Sequence, residues 1–199
     1  MATKTGQLVI VSGPSGAGKT TLLQRVFEQS ARPLVQSVSA TTRAPRPGER
    51  DGVDYFFLSR EEFARRRDKG DFLESCEVYA QGDWYGTLRS QVTPSLAAGK
   101  WVVLEIDVQG TREVLRHYPQ ALTIFVEPGS IDELERRLRD RGTESAAALA
   151  RRLEVARCEL NSVDIYSHRV INDQIDRAAR EICNILNQAS PHQAGDVLE

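Results

Sequence analysis

A glycine-rich stretch near the start of the chain has the residue types and spacing of a phosphate-binding loop. Its residues match the pattern G-x-x-x-x-G-K-[ST] without gaps and are Gly13, Pro14, Ser15, Gly16, Ala17, Gly18, Lys19 and Thr20. Glycines allow the backbone to curl until successive N–H groups face phosphate oxygens. A helix starting near Gly18 would add the partial positive charge of its N-terminus. The pattern predicts that Lys19 reaches the outer phosphates of a nucleotide and that the Thr20 hydroxyl binds Mg²⁺.

A second anion-binding group is predicted at residues 39–49, where Arg43 and Arg46 flank Pro45. Proline disfavours helix in the residue before it, so both guanidinium groups can converge from an extended segment. Arginine binds phosphate dianions through two parallel hydrogen bonds. The pattern favours a phosphate site, and a charged surface loop is the alternative.

Seven arginines lie between residues 136 and 157, with three acidic residues among them. Helical periodicity places Arg137, Arg141 and Arg152 beside the apolar faces of two predicted helices, from which they could reach a cleft. The alternative is a basic, solvent-exposed pair of helices that forms local ion pairs.

Two acidic residues, Glu105 and Asp107, end a buried apolar run that begins at Trp101. Phosphate-loop proteins often place an acid at such a strand end, where it helps to hold Mg²⁺. An ordinary solvated strand end is the alternative on this pattern alone.

These residues are set in an alternation of predicted strands and helices, which is typical of a parallel sheet with right-handed crossovers. The predicted strands are 7–12, 34–39, 101–106, 121–126 and 168–172. The predicted helices are 20–29, 110–117, 130–141, 146–160 and 175–187. Residues 41–99, rich in proline, glycine and aromatic residues, break the alternation and predict an inserted α+β lobe with a helix at 59–69.

The composition excludes several classes of protein. The chain has 199 residues and a net charge of −2, which argues against non-specific nucleic-acid binding. Its longest apolar run has five residues, whereas a membrane-spanning helix needs about 20. The first six residues lead directly into a predicted strand, so we expect no signal peptide. Three cysteines without a CxxC pair predict reduced thiols in a cytoplasmic protein.

The chain resembles the guanylate kinases, nucleoside monophosphate kinases that contain a phosphate loop. The motifs that carry the resemblance run in family order from about residue 6 to 189, at 13–20, 39–48, 52–56, 72–74, 84–87, 106–110, 141–144 and 170–172. The resemblance implies an α/β fold: a P-loop NTPase core with a central parallel sheet, an inserted α+β lobe for the nucleoside monophosphate, and a short helical lid. The implied bounds are a core at 6–39, 99–129 and 156–189, a GMP-binding lobe at 40–98, a lid at 130–155 and a flexible tail at 190–199.

The activity that the resemblance implies is reversible phosphoryl transfer from Mg-ATP to GMP, a step in GMP recycling. The residues implied to hold the GMP phosphate are Ser39, Arg43, Arg46, Tyr55 and Tyr85. Glu74 and Thr87 would read the guanine, with Asp107 close to both base and metal. Lys19 and the arginines of the lid would stabilise the transferred group, and Asn172 would lie near the adenine.

The chemistry of guanine agrees with a role for Glu74. Guanine presents N1–H and N2–H₂ side by side as donors, and one carboxylate can accept from both. Adenine has no such pair, so it would leave a buried carboxylate without a partner. A polar mismatch of that kind can reject the wrong base by about 10⁴-fold.

The chain departs from the family pattern at three positions. Thr20 and Thr87 replace serines and keep the hydroxyl, whereas Glu105 stands where aspartate is common. The longer side chain of Glu105 argues against a metal or base role, so the predicted site does not include it. Two alternatives remain at this stage: a non-catalytic binding module, and a related small kinase for another acceptor, such as a ribose bisphosphate. No oligomeric state is indicated.

Overall fold

The computed structural model describes residues 6–78, 82–140 and 146–189. The strands are β1 (Gln7–Ser12), β2 (Leu34–Gln36), β3 (Ala40–Thr41), β4 (Phe56–Phe57), β5 (Phe72–Val78), β6 (Asp83–Leu88), β7 (Trp101–Glu105), β8 (Leu122–Pro128) and β9 (His168–Asn172). The helices are α1 (Lys19–Gln29), α2 (Arg60–Asp68), α3 (Arg89–Ala97), α4 (Val108–His117), α5 (Ile131–Asp140), α6 (Ala146–Leu160) and α7 (Ile175–Gln188). A short 3₁₀ helix covers Val163–Ile165. The predicted tail, 190–199, and Arg141 lie outside the described residues.

The central sheet has five parallel strands in the order β2-β7-β1-β8-β9, which confirms the predicted α/β class. All six residues of β1 are buried, because helices cover both faces of the sheet. Val9 and Val11 pack towards α1 and α7, whereas Leu8 and Ile10 pack towards α3 and α4. Strands buried on both faces read as continuous apolar runs, and the central position of β1 places the following loop at the carboxyl edge of the sheet.

The second strand is shorter than predicted because the chain leaves the sheet early. β2 ends at Gln36, and Ser37 makes one last backbone bond, to the carbonyl of Val103. The carbonyl of Ser39 then accepts from the N–H of Phe56. Residues 37–39 therefore cross from the central sheet to a second one.

The predicted α+β insertion contains a second sheet of four strands, in the order β4-β3-β6-β5. Helix α2 packs against it through Phe63, whose ring lies 4.5 Å from that of Phe72. Helix α3, which the sequence analysis did not predict, also falls within 40–98. Its residue Val92, however, packs in the cluster of the central sheet. The division into core, lobe and lid remains a prediction.

Helices α5 and α6 share a small apolar cluster. Leu134, Leu138 and Ala156 are buried, and Leu149 and Leu153 pack against them, in agreement with the predicted periodicity. Leu160, in the last turn of α6, packs in a different apolar cluster, beside Val108 at the start of α4. None of the described helices is long and apolar enough to cross a membrane.

Candidate active site

The phosphate loop connects β1 to α1 and lies tightly against β8. Gly13 has a φ of 143°, and a Cβ atom there would lie 2.1 Å from the carbonyl oxygen of Val126. A Cβ atom at Gly16 would lie 2.9 Å from a methyl group of Leu134 on α5. The glycines therefore allow the loop to contact the sheet on one side and α5 on another.

Positive groups converge inside this loop. Helix α1 begins at Lys19, and no side chain of the described residues caps it, so its first N–H groups are available to an anion. The Lys19 ammonium donates to the carbonyls of Gly13, at 2.7 Å, and Pro14, at 3.2 Å. These contacts fold the side chain back across the loop, in the position of a phosphate-binding lysine.

The Thr20 hydroxyl, in the first turn of α1, lies close to the last residue of β7, Glu105. It donates to the Glu105 carboxylate, with oxygen–oxygen distances of 3.1 and 3.3 Å. Hydroxyl and carboxylate oxygens are ligands that Mg²⁺ accepts, so the two side chains fit the expected ion. Within the described residues no cluster of three histidine, cysteine or acidic side chains could hold a metal ion. Glu105, which the sequence analysis leaves out of the site, therefore lies beside the predicted magnesium ligand Thr20.

Arg43 follows β3 and is held in place by polar and aromatic side chains. Its Nε donates to the Tyr85 hydroxyl at 3.1 Å, and its guanidinium lies 5.5 Å from the centre of the Tyr55 ring. The Tyr55 and Tyr85 rings meet edge to face at 5.9 Å. Burial raises the pKa of Tyr55 to about 12, so this phenol keeps its proton. Three of the predicted phosphate-binding residues are thus adjacent.

The other two predicted phosphate-binding residues, Arg46 and Ser39, are not part of the cluster formed by Arg43 and the two tyrosines. The Arg46 side chain is exposed, and its backbone N–H donates to Glu49 at 2.7 Å. Ser39 is half-buried at the crossing between the sheets. Glu49 was missed by the sequence analysis, although it follows Arg46 at a spacing typical of a turn.

Glu74 and Thr87 form a buried polar pair between neighbouring strands. They are partners in the β5–β6 register, with exposed fractions of 3% and 1%. The Thr87 hydroxyl donates to Oε1 of Glu74 at 2.7 Å. Burial raises the pKa of Glu74 to about 7. Its other oxygen faces α4, where a Cβ atom at Gly110 would lie 2.9 Å from Oε2.

Asp107 caps α4 beside the Glu74–Thr87 pair. Its Oδ1 accepts from the N–H of Gly110 at 2.7 Å, which is the usual role of an aspartate at the start of a helix. Glu74 and Asp107 both approach Gly110, so the two predicted base-binding carboxylates are neighbours.

Asn172 on β9 contacts the phosphate loop, and Arg137 on α5 contacts Asn172. The Asn172 amide donates to the carbonyl of Ala17 at 2.8 Å, and Arg137 donates to Glu133 at 2.6 Å and to the carbonyl of Asn172 at 3.4 Å. Arg152 is partly buried on α6. The adenine contact predicted for Asn172 remains a prediction, because its side chain is buried against the loop.

Glu159 on α6 is a partly buried carboxylate that the sequence analysis did not single out. With Asp107, it lines a cleft of about 510 Å³ between α4, α6 and the end of β5. Burial raises its pKa to about 7, while the positive charge of Lys19 acts in the opposite direction. Glu159 follows the buried Ala156 by three residues, and this helical spacing indicates that the two side chains share a face of α6.

The central sheet and the loop that follows its middle strand define a P-loop nucleotide-binding protein of the α/β class. A family model described as guanylate kinase matches residues 5–189. The chain belongs to the guanylate kinase family, and the resemblance found in its motifs is confirmed.

Individual relatives agree with this membership over most of their length. The chain is 57% identical over 183 residues to the guanylate kinase of Rhodopirellula baltica, covering 91% of this chain and 87% of that protein. It is 47% identical to the guanylate kinase of Rubrobacter xylanophilus, covering 93% and 95%. The crystal structure of guanylate kinase from Anaplasma phagocytophilum superposes with a TM-score of 0.75 at 32% identity, covering 96% of this chain and 92% of that one.

Proposed function

We propose that this kinase transfers a phosphoryl group reversibly from Mg-ATP to GMP, giving ADP and GDP. The observation that carries the proposal is the buried Glu74–Thr87 pair. A buried carboxylate whose partner is a hydroxyl can accept the N1–H and N2–H₂ donors of guanine, which adenine lacks. The proposal includes a cytoplasmic location, which the three free cysteines support.

The chemistry requires alignment and charge stabilisation rather than a general base. A phosphate monoester has a second pKa of about 6, so the GMP phosphate is already a nucleophilic dianion at neutral pH. Arg43, Tyr55 and Tyr85 would orient it. Lys19 and the N–H groups at the start of α1 would stabilise negative charge on the transferred group, assisted by Arg137.

Thr20 and Glu105 are the residues that would hold Mg²⁺, directly or through water. When bound, the ion would supply positive charge that offsets the negative charge developing on the transferred phosphoryl group. The proposed lid at 130–155 and the proposed GMP lobe would close over both substrates and exclude water, since water would otherwise accept the phosphoryl group.

The direct test is ADP release from Mg-ATP with GMP, AMP, UMP or no acceptor. We expect turnover with GMP and release at background level with the others. Tight GMP binding without turnover would favour the non-catalytic module. Turnover only with another acceptor, such as a ribose bisphosphate, would contradict the reading of guanine by Glu74.

Glu49 is expected to contribute to GMP binding through Arg43. Both Glu49 oxygens accept from Nη2 of Arg43, at 2.9 and 3.0 Å, and this contact holds the pKa of Glu49 below its usual value. The Glu49→Gln variant should raise KM for GMP about 5-fold, because a charge-assisted bond contributes roughly 1 kcal/mol more than a neutral one. KM for ATP should not change.

The matched control for this substitution is Glu127→Gln, which removes a surface pair with Arg169 between β8 and β9. It should leave both KM values unchanged. A Glu49→Gln variant with the wild-type KM for GMP would show that Arg43 is oriented without this carboxylate.

A further inference from the structure

Cys76 is a buried thiol in the wall of the proposed guanine pocket. It follows Glu74 by two residues on β5, so the two side chains project from the same face of the strand. Its partner in the register is Tyr85 of the phosphate-binding cluster, and its exposed fraction is 5%. The proposed mechanism gives this side chain no role.

The thiol is within hydrogen-bond distance of Asp107. Its Sγ lies 3.5 Å from Oδ2 of Asp107, a normal length for a sulfur donor, and only the thiol of this pair can donate. Burial, together with the negative charges of Asp107 and Glu74, raises the pKa of Cys76 far above its usual range. The sulfur therefore keeps its proton and remains a donor.

This contact completes the restraint of the Asp107 carboxylate. Oδ1 is held by the N–H of Gly110 at the start of α4. A carboxylate held through one oxygen can still rotate about its terminal torsion, which is broad in aspartate. A second donor on Oδ2 fixes the plane of the group. A carboxylate oxygen has further lone pairs, so Oδ2 can still accept from a ligand.

We propose that Cys76 is a positioning residue for guanine recognition, whose S–H donates to Asp107 and fixes the plane in which this carboxylate faces the base. The inference rests on the proposed function. A role in packing alone is the alternative, and the two differ in their response to serine, which keeps a donor in a similar volume.

The kinetic test compares Cys76→Ala, Cys76→Ser and the control Cys183→Ala, a thiol between α7 and α1. Loss of one hydrogen bond of ordinary net strength, as expected for a weak thiol donor, should raise KM for GMP about 5-fold in Cys76→Ala. KM for ATP should stay unchanged in this variant, Cys76→Ser should stay within about twofold of wild type, and the control should match wild type. Wild-type KM for GMP in Cys76→Ala, or equal impairment of Cys76→Ser, would overturn the proposal.

An infrared measurement separates this inference from the proposed function. The S–H stretching band that disappears in Cys76→Ala should lie at the lower frequency of a bonded thiol. It should shift in Asp107→Asn, which preserves the helix cap. An S–H frequency that is unchanged in Asp107→Asn would overturn the proposed hydrogen bond, whichever molecule the enzyme phosphorylates. A band that responds, in a protein that phosphorylates no GMP, overturns the proposed function instead.

Discussion

A Lys19→Met variant is expected to turn over Mg-ATP and GMP about 10³-fold more slowly than the wild-type chain. Removal of one preorganised donor to developing charge costs about 10²–10³ in rate, and this ammonium lies inside the phosphate loop, bonded to the Gly13 carbonyl at 2.7 Å. The measurement is kcat at saturating substrates. GMP affinity, measured by titration without ATP, should stay at the wild-type value, because the proposed base-binding residues lie on other elements.

Lys69→Met is the control for the loss of a positive charge, since Lys69 is an exposed residue at the end of α2. It should retain full activity. A Lys19→Met variant that kept more than about a tenth of the wild-type kcat would contradict the assignment of Lys19 to the transferred phosphoryl group.

The Glu74→Gln variant is expected to lose about 10⁴ in kcat/KM for GMP, the size of a polar mismatch in a buried site. A glutamine keeps one acceptor but presents an NH₂ group to the donors of the base. KM for ATP should not change. Glu77→Gln is the matched control, because Glu77 lies on the same strand but is exposed and accepts from the N–H of Gly82. Full GMP turnover in Glu74→Gln would show that another group reads the base.

The same residue should give GMP binding a pH dependence. Burial raises the pKa of Glu74 to about 7, and only the ionised form can accept both donors of guanine. KM for GMP should therefore fall as pH rises from 6 to 8, by about tenfold for a single group with that pKa. The fall should continue above pH 6.5, where the GMP phosphate is already largely dianionic. A constant KM across this range would contradict the role of ionised Glu74.

Whereas GMP binding should strengthen as pH rises, the stability of the fold should decrease with rising pH, over a lower pH range. A carboxyl group with a raised pKa binds a proton in the folded state at pH values where the unfolded chain has lost it. The free energy of unfolding therefore falls as pH rises from about 4.5 to about 7. In denaturant titrations, Glu74→Gln should show less of this fall than wild type, while the contribution of Glu159 should remain in both.

Features that depend on a short stretch of chain were predicted well. β1, β9 and α6 begin and end where the apolar periodicity indicates, and the phosphate loop is recognisable because all its parts are consecutive. Contacts between distant residues were not predicted. The sequence contains no local signal that Glu105 meets Thr20 or that Cys76 meets Asp107. The early end of β2 depends on the second sheet, to which the chain crosses.

The close approach of the Glu74 carboxylate to Gly110 makes the residue types allowed at these two positions depend on each other. With a glutamate at 74, a Cβ atom at 110 would lie 2.9 Å from Oε2, so selection for the proposed base recognition would also act on a residue without a side chain. A shorter acid at 74 would withdraw from α4 and admit alanine at 110. The two positions should therefore covary among relatives, and a substitution at 110 that is harmful in this chain would be neutral in a background that carries the shorter acid.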